Sequence, residues 1–214
     1  MAAPLTQAEL GKPSLARVCA AIAAQEAVVV PDFLPEPMIA ALAAEARRRE
    51  ARGEFHPARV GRGAHRSERA DIRGDRTLWL DETAPAPAEQ PLWRALERLR
   101  LALNETTLLG LFAFEGHYAL YPPGAFYRRH RDRFRDDDAR TLSCVLYLND
   151  AWTAADGGAL RLYDPGNGSR EVLPVGGTLV CFLADRYEHE VLPATRERLA
   201  IAGWFSRRTP ASWC

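Results

Sequence analysis

HYALYPPGAFYRRHRDRF, residues 117–134, is the stretch on which the reading of the chain turns. The turn signal Pro122-Pro123-Gly124 separates an apolar run ending at Tyr121 from a polar segment centred on His130-Arg131-Asp132. In an extended segment successive side chains point to opposite faces, so His130 and Asp132 share one face and Arg131 points away. An imidazole nitrogen beside a carboxylate oxygen offers a divalent metal two adjacent ligands. His189, in DRYEHEVLP on what reads as another strand, offers a third. An H-x-D triplet alone is a weak signal, and the residues beyond His189 strengthen it.

Arg198 lies nine residues beyond His189 in RERLAIAGWF, whose apolar positions mark a buried strand. A guanidinium carried into an interior is costly unless something anionic meets it. Its planar fork matches a carboxylate bidentately. A dicarboxylic acid chelating the metal at one end would place its other carboxylate at Arg198, so one ligand accounts for both features. Two histidines and one carboxylate with positions left open suit non-haem Fe(II).

Outward from this stretch the chain becomes a succession of short strands. They are expected over 112–121, 141–148, 159–163, 172–173, 178–184, 188–192 and 199–205. Between them stand turn signals such as Asp156-Gly157-Gly158, Pro165-Gly166-Asn167-Gly168 and Gly176-Gly177. This pattern predicts a jelly-roll, or double-stranded β-helix, core over 111–206. Residues 1–110 read as helical support for it. A first helix is expected over 14–25 with Ser14 as its cap, since Leu15, Val18, Cys19 and Ile22 recur at helical spacing. A second starts at Pro35–Pro37 and runs to Arg49, and a third spans 91–103, with a short β-branched run at 27–30 and a strand at 77–80. Helices first and strands later predict an α+β, mainly β fold, with the N-terminal and central helices packed on the larger sheet and 1–214 forming one domain.

The segment 51–76, ARGEFHPARVGRGAHRSERADIRGDR, is rich in Arg, Gly, His and Glu without periodicity. It reads as a long loop or loose-tipped hairpin, either a solvated surface or a binding loop. His56 and His65 count here as ordinary loop residues, and His117 as a partly buried histidine with a hydrogen-bond partner. With 214 residues, 47% of them hydrophobic, the chain can bury a substantial core. Its formal net charge of +0 favours neither nucleic acid nor an anionic membrane. There is no apolar run of membrane-spanning length, and MAAPLTQAEL lacks the features of a secretory leader. Cys19, Cys144, Cys181 and Cys214 follow no metal-binding or disulfide spacing, so a cytoplasmic protein with reduced thiols is expected.

VVVPDFL, DIRGDRTLW, YPPGAFYRRHRD, TLSCVLYLNDAW followed by GGALRLY, and EHEVLPATRERLAIAGWF together carry a wider likeness. The chain resembles the 2-oxoglutarate and Fe(II)-dependent dioxygenases, and more narrowly prolyl hydroxylases of the hypoxia-inducible-factor type and their bacterial counterparts. The resemblance implies that His130, Asp132 and His189 ligate iron. It implies that Arg198 and Tyr147 hold the distal carboxylate of 2-oxoglutarate, with Tyr121 near the cofactor. Arg73, Trp79 and Trp204 then fall on the substrate side, and Asp75 pairs with Arg140 between loop and core. Ala202 stands where the animal enzymes have a threonine. The implied cofactors are Fe(II), 2-oxoglutarate and dioxygen, with ascorbate as reductant. The implied partner is a protein or peptide with a target proline, for bacterial members a translation factor such as elongation factor Tu. Nucleic acid and membrane are not expected as partners, and the helical N-terminal region leaves the oligomeric state open.

Singly, each residue has a plainer reading. Tyr121, Tyr147, Trp79 and Trp204 would serve as core aromatics, and Asp75 and Arg140 as exposed charges worth little. Three other functions share much of the pattern: a small-molecule oxygenase, a nucleic-acid demethylase of the AlkB type, and an inactive barrel binding a peptide. The demethylase reading calls for an arginine where Trp204 stands.

Overall fold

The computed structural model describes residues 12–60, 67–132, 139–166 and 168–208. The expectations for His65, Asn167, Cys214 and the first ten residues fall outside that range. Two antiparallel sheets form the core, with three helices against the larger one among the described residues. The helices are α1 (Lys12–Ala23), α2 (Glu36–Ala51) and α3 (Gln90–Thr107). Ser14 lies inside α1 rather than capping it, because the helix begins at Lys12. It stops at Ala23, short of the expected end, as Gln25 turns left-handed at φ 59°. Pro35 precedes α2 and Pro37 sits in its first turn, where a missing N–H costs nothing. α3 runs past the expected Leu103 to Thr107 and ends at left-handed Leu108.

The strands are β1 (Val28–Val30), β2 (His56–Pro57), β3 (Arg59–Val60), β4 (Ser67–Glu68), β5 (Arg76–Trp79), β6 (Leu111–Tyr121), β7 (Tyr127–His130), β8 (Arg140–Tyr147), β9 (Leu160–Tyr163), β10 (Ser169–Val172), β11 (Leu179–Leu183), β12 (Glu188–Val191) and β13 (Arg198–Arg207). The major sheet has the order β1-β11-β8-β13-β6-β5-β2, and the minor sheet β10-β9-β12-β7. β3 and β4 pair antiparallel as a separate two-stranded sheet within the segment expected as a long loop or loose-tipped hairpin. No helix among the described residues is long and apolar enough to cross a membrane.

Strand alternation divides the major sheet into two faces. Tyr118 and Leu120 of β6, Leu142 and Leu146 of β8, and Leu199, Ile201 and Phe205 of β13 pack with Val18, Leu42, Leu96 and Leu99 of the helices. The opposite face of the same strands contributes Ala119, Tyr121, Tyr147 and Ala200, which meet Leu160, Leu162 and Val191 of the minor sheet. The helices therefore stiffen one side of the major sheet and leave the inter-sheet side to carry the site.

Candidate active site

His130 ends β7 and His189 lies in β12, directly opposite in antiparallel register. Asp132 comes two residues after His130. Its carboxylate oxygens lie 3.6 Å from His130 Nε2 and 3.6 Å from His189 Nε2. One ligand atom from each of the three lies within 4.8 Å of the others. The geometry joins the residues that the H-x-D spacing and the distant histidine suggested.

Their protonation states suit a cation. His130 Nδ1 contacts the Arg128 carbonyl at 2.8 Å. A ring that donates from Nδ1 turns the Nε2 lone pair toward Asp132. Burial lowers the His189 pKa to about 4, against the opposing pull of Asp132, so its imidazole is neutral near pH 7. Burial alone would raise the Asp132 pKa, but His189, His130 and the Ser143 hydroxyl outweigh it and hold the carboxylate well below its ordinary range. Ser143 Oγ donates to Asp132 Oδ2 at 2.7 Å. This serine sits on β8, in register with Trp204. No motif marks it in the sequence, where a serine within a strand carries no signal.

The His130 ring is stacked on Tyr127 at 3.6 Å between centroids, and the Arg73 guanidinium lies 4.3 Å from the Tyr127 ring. Arg73 grips Asp75 through both oxygens, at 2.7 Å and 2.6 Å. This corrects the expected Asp75–Arg140 pair. Asp75 is buried in the same short segment as Arg73, whereas Arg140 bonds Glu115 at 2.8 Å and lies 3.5 Å over the Trp204 ring. The 72–74 backbone also bonds to that of Phe126 and Arg128, which docks the DIRGD segment beside the metal-ligand strand.

Arg198 opens β13 and is 2% exposed. Its Nε donates to the Gly158 carbonyl at 2.8 Å. Its guanidinium carbon stands 5.2 Å from the Tyr121 ring centre and 5.1 Å from that of Tyr147. Arg198 Nη2 and the Tyr147 hydroxyl are both buried without a partner. No carboxylate of the described residues pairs with this guanidinium. Gly158 adopts φ +69°, and a Cβ there would come within 3.3 Å of the Arg198 side chain, so glycine lets the carbonyl approach.

A cavity of about 1160 Å³ connects these groups, lined by His130, Asp132, His189 and Arg198 at depth and by Trp79, His117 and Trp204 toward its mouth. Trp79 is 43% exposed there, and Tyr121 also lines the wall. His117 departs from expectation: it is 3% exposed, and its Nδ1 is buried without a hydrogen-bond partner. The donor set fits a divalent metal with open positions, and the unpartnered guanidinium nitrogen and phenol at depth fit the far carboxylate of a chelating dicarboxylate.

Residues 116–206 match the 2OG-Fe(II) oxygenase superfamily. The chain superposes on a prolyl-4-hydroxylase from Pseudomonas putida with a TM-score of 0.83 and 49% identity, over 91% of this chain and 100% of that one. A prolyl hydroxylase solved with a hypoxia-inducible-factor oxygen-degradation-domain peptide, from Trichoplax adhaerens, gives a TM-score of 0.81 at 25% identity over 90% of this chain and 88% of that one. The hypoxia-inducible factor prolyl hydroxylase of Caenorhabditis elegans is 30% identical over 83% of this chain. The chain spans 26% of that relative's length, and 33% of human Egl nine homolog 1, to which it is 33% identical over 63% of its own residues.

Proposed function

Because this chain belongs to the 2-oxoglutarate/Fe(II) oxygenase superfamily, in its prolyl-hydroxylase branch, we propose that it hydroxylates a prolyl residue within a protein or peptide. Dioxygen and 2-oxoglutarate are consumed and succinate and carbon dioxide released, one oxygen atom going to the prolyl C–H bond and the other into succinate. One observation carries the reading: the His130–Asp132–His189 donor set shares a cavity with a buried guanidinium that has no carboxylate partner among the described residues.

His130 Nε2, His189 Nε2 and an Asp132 oxygen would hold Fe(II). Arg198, with Tyr147 beside it, would bind the far carboxylate of 2-oxoglutarate, and Tyr121 would close the wall between them. Bound together, the iron and 2-oxoglutarate supply oxidation of an unactivated C–H bond. The chain itself orients and excludes water. Ser143 and the Arg128 carbonyl fix the ligand side chains, while Gly158 fixes the arginine. Neutralising Arg198 makes the ordering of the cosubstrate strongly favourable, because an unpaired buried charge is costly. Trp79 and Trp204 offer flat apolar surface for a pyrrolidine ring at the mouth, and Arg73 holds Tyr127 against His130.

The cavity volume of about 1160 Å³ exceeds the roughly 300–1,000 Å³ of ordinary small-ligand pockets, which supports a peptide segment in addition to the cosubstrate. Ascorbate is proposed only as the reductant that keeps the iron ferrous. The test is succinate release with Fe(II), ascorbate and air, in the presence of proline-containing peptides, elongation factor Tu or free proline. Stimulation by a polypeptide with an oxygen atom added at proline supports the reading. Stimulation by free proline alone replaces it with a metabolite oxygenase.

A further inference from the structure

His117 carries an inference that the metal and cosubstrate assignments leave untouched. It lies on β6, on the inter-sheet face, opposite Trp79 of β5 and Ala202 of β13. Its ring is flanked by Trp79 at 4.9 Å and Trp204 at 5.6 Å between centroids. It is 3% exposed, and what surface it keeps belongs to the wall of the cavity. Nδ1 is sealed in without a partner, and no hydrogen bond among the described residues engages the ring at Nε2.

An imidazole with Nδ1 sealed in and unpartnered among the described residues is an uncommon state, since burying an unsatisfied polar group costs roughly 1–3 kcal/mol. Packing does not call for it. Two indole rings and an alanine stand beside it, and an apolar side chain there would carry no such cost. Burial, with Arg73 adding to it, lowers its pKa to about 4, so the ring is neutral at pH 7 and has one N–H and one lone pair. Orphaned N–H groups are rarer in interiors than under-satisfied acceptors, which favours placing the proton on Nε2 and leaving the lone pair at buried Nδ1. The groove then presents one directional donor between two apolar platforms.

We propose that His117 is a substrate-positioning residue that donates a hydrogen bond from Nε2 to a peptide carbonyl of the bound polypeptide while Trp79 and Trp204 pack against its pyrrolidine ring. This rests on the prolyl-hydroxylase reading and adds a determinant for the main chain of the substrate. A prolyl segment has no amide N–H at the proline itself, so its neighbouring carbonyls are the groups that a donor here can recognise. The site would thereby favour a polypeptide over an apolar molecule of similar size.

The experiment uses the full chain and a panel of peptides with a central proline, comparing wild type with His117→Leu and His117→Gln. Peptide affinity is measured with Mn(II) and 2-oxoglutarate bound, together with kcat and KM under turnover. Thermal midpoints are also read. The expected result is a roughly tenfold loss of peptide affinity in His117→Leu, the loss of one directional hydrogen bond. Its thermal midpoint stays equal or higher, while His117→Gln, which keeps a donor, recovers part of the affinity. Unchanged peptide affinity in His117→Leu overturns the assignment while leaving prolyl hydroxylation intact. A lowered midpoint with affinity lost equally in both variants marks His117 as structural and also overturns it. A wild type that hydroxylates no peptide removes the assignment and the reading beneath it.

Discussion

The two ends of the cavity handle charge differently. At depth, Asp132 is held by Ser143 and faces two imidazoles, and Arg198 has Nη2 buried without a partner among the described residues. Farther along the wall the ions answer one another: the buried Arg73 grips Asp75 beside the Tyr127–His130 stack, and Arg140 bonds Glu115 while lying over Trp204. The deep end sets a carboxylate between two imidazoles and holds a guanidinium with no carboxylate partner among the described residues. Toward the mouth, the unpartnered buried polar atoms among the described residues are His117 Nδ1 and Trp204 Nε1. Under the proposed function, charged cofactors belong at the first and an uncharged stretch of polypeptide at the second.

The sharpest way to break this contrast is Asp132→Ala. It removes the one carboxylate between the two histidines and is expected to abolish metal-dependent turnover and tight metal binding while the sheets stay folded. Metal titration with circular dichroism checks both halves. Next comes Arg198→Ala, expected to raise KM for 2-oxoglutarate by roughly 100-fold, since truncating one member of a buried charge pair costs about 2–5 kcal/mol. Peptide affinity measured with saturating cosubstrate should change far less, which separates the two ends. Ser143→Ala leaves the ligands in place but frees Asp132. Loss of a group that orients a metal ligand predicts about tenfold weaker metal binding, read by competition with a chelator.

The smallest effect concerns stability and tests the mouth. The folded-state pKa of His117 is lowered from 6.5 to about 4 by burial and by Arg73 and Arg140, with Asp75 and Asp132 opposing. The unfolded chain therefore binds a proton that the folded one refuses. The stability from the neutral ring is fully present above 6.5 and is lost as pH falls toward the folded value. His117→Leu should remove that loss, giving a shallower fall of denaturant midpoint between pH 6.5 and pH 4. The difference is bounded by the slope for one proton, about 1.4 kcal/mol per pH unit.

Much of this was readable in the sequence because its signals are local and periodic. The alternating runs between Gly- and Pro-rich turns located β6, β8, β9, β11, β12 and β13 within a few residues, and the closely spaced His130 and Asp132 side chains do approach to 3.6 Å. Residues whose meaning depends on distant partners were less legible. Ser143 becomes informative only when β8 lies beside Asp132. Asp75 chose Arg73 over Arg140 because the short segment folds back on itself and docks on β7, a geometry that charge sequence cannot show. β2, β3 and β4 are two-residue strands in a charged stretch, too short for any alternation to register. His117 was expected to have a partner, and its lack of one emerged only when Trp79 and Trp204 were placed around it.

The most direct test of the central claim is turnover under heavy-isotope dioxygen with Fe(II), 2-oxoglutarate and a proline-containing polypeptide, with mass analysis of both products. The account predicts one heavy oxygen on a prolyl residue and one in succinate, in equal amounts, with both lost in Asp132→Ala. Succinate labelled at full rate with no label on any polypeptide, whichever one is supplied, would contradict it.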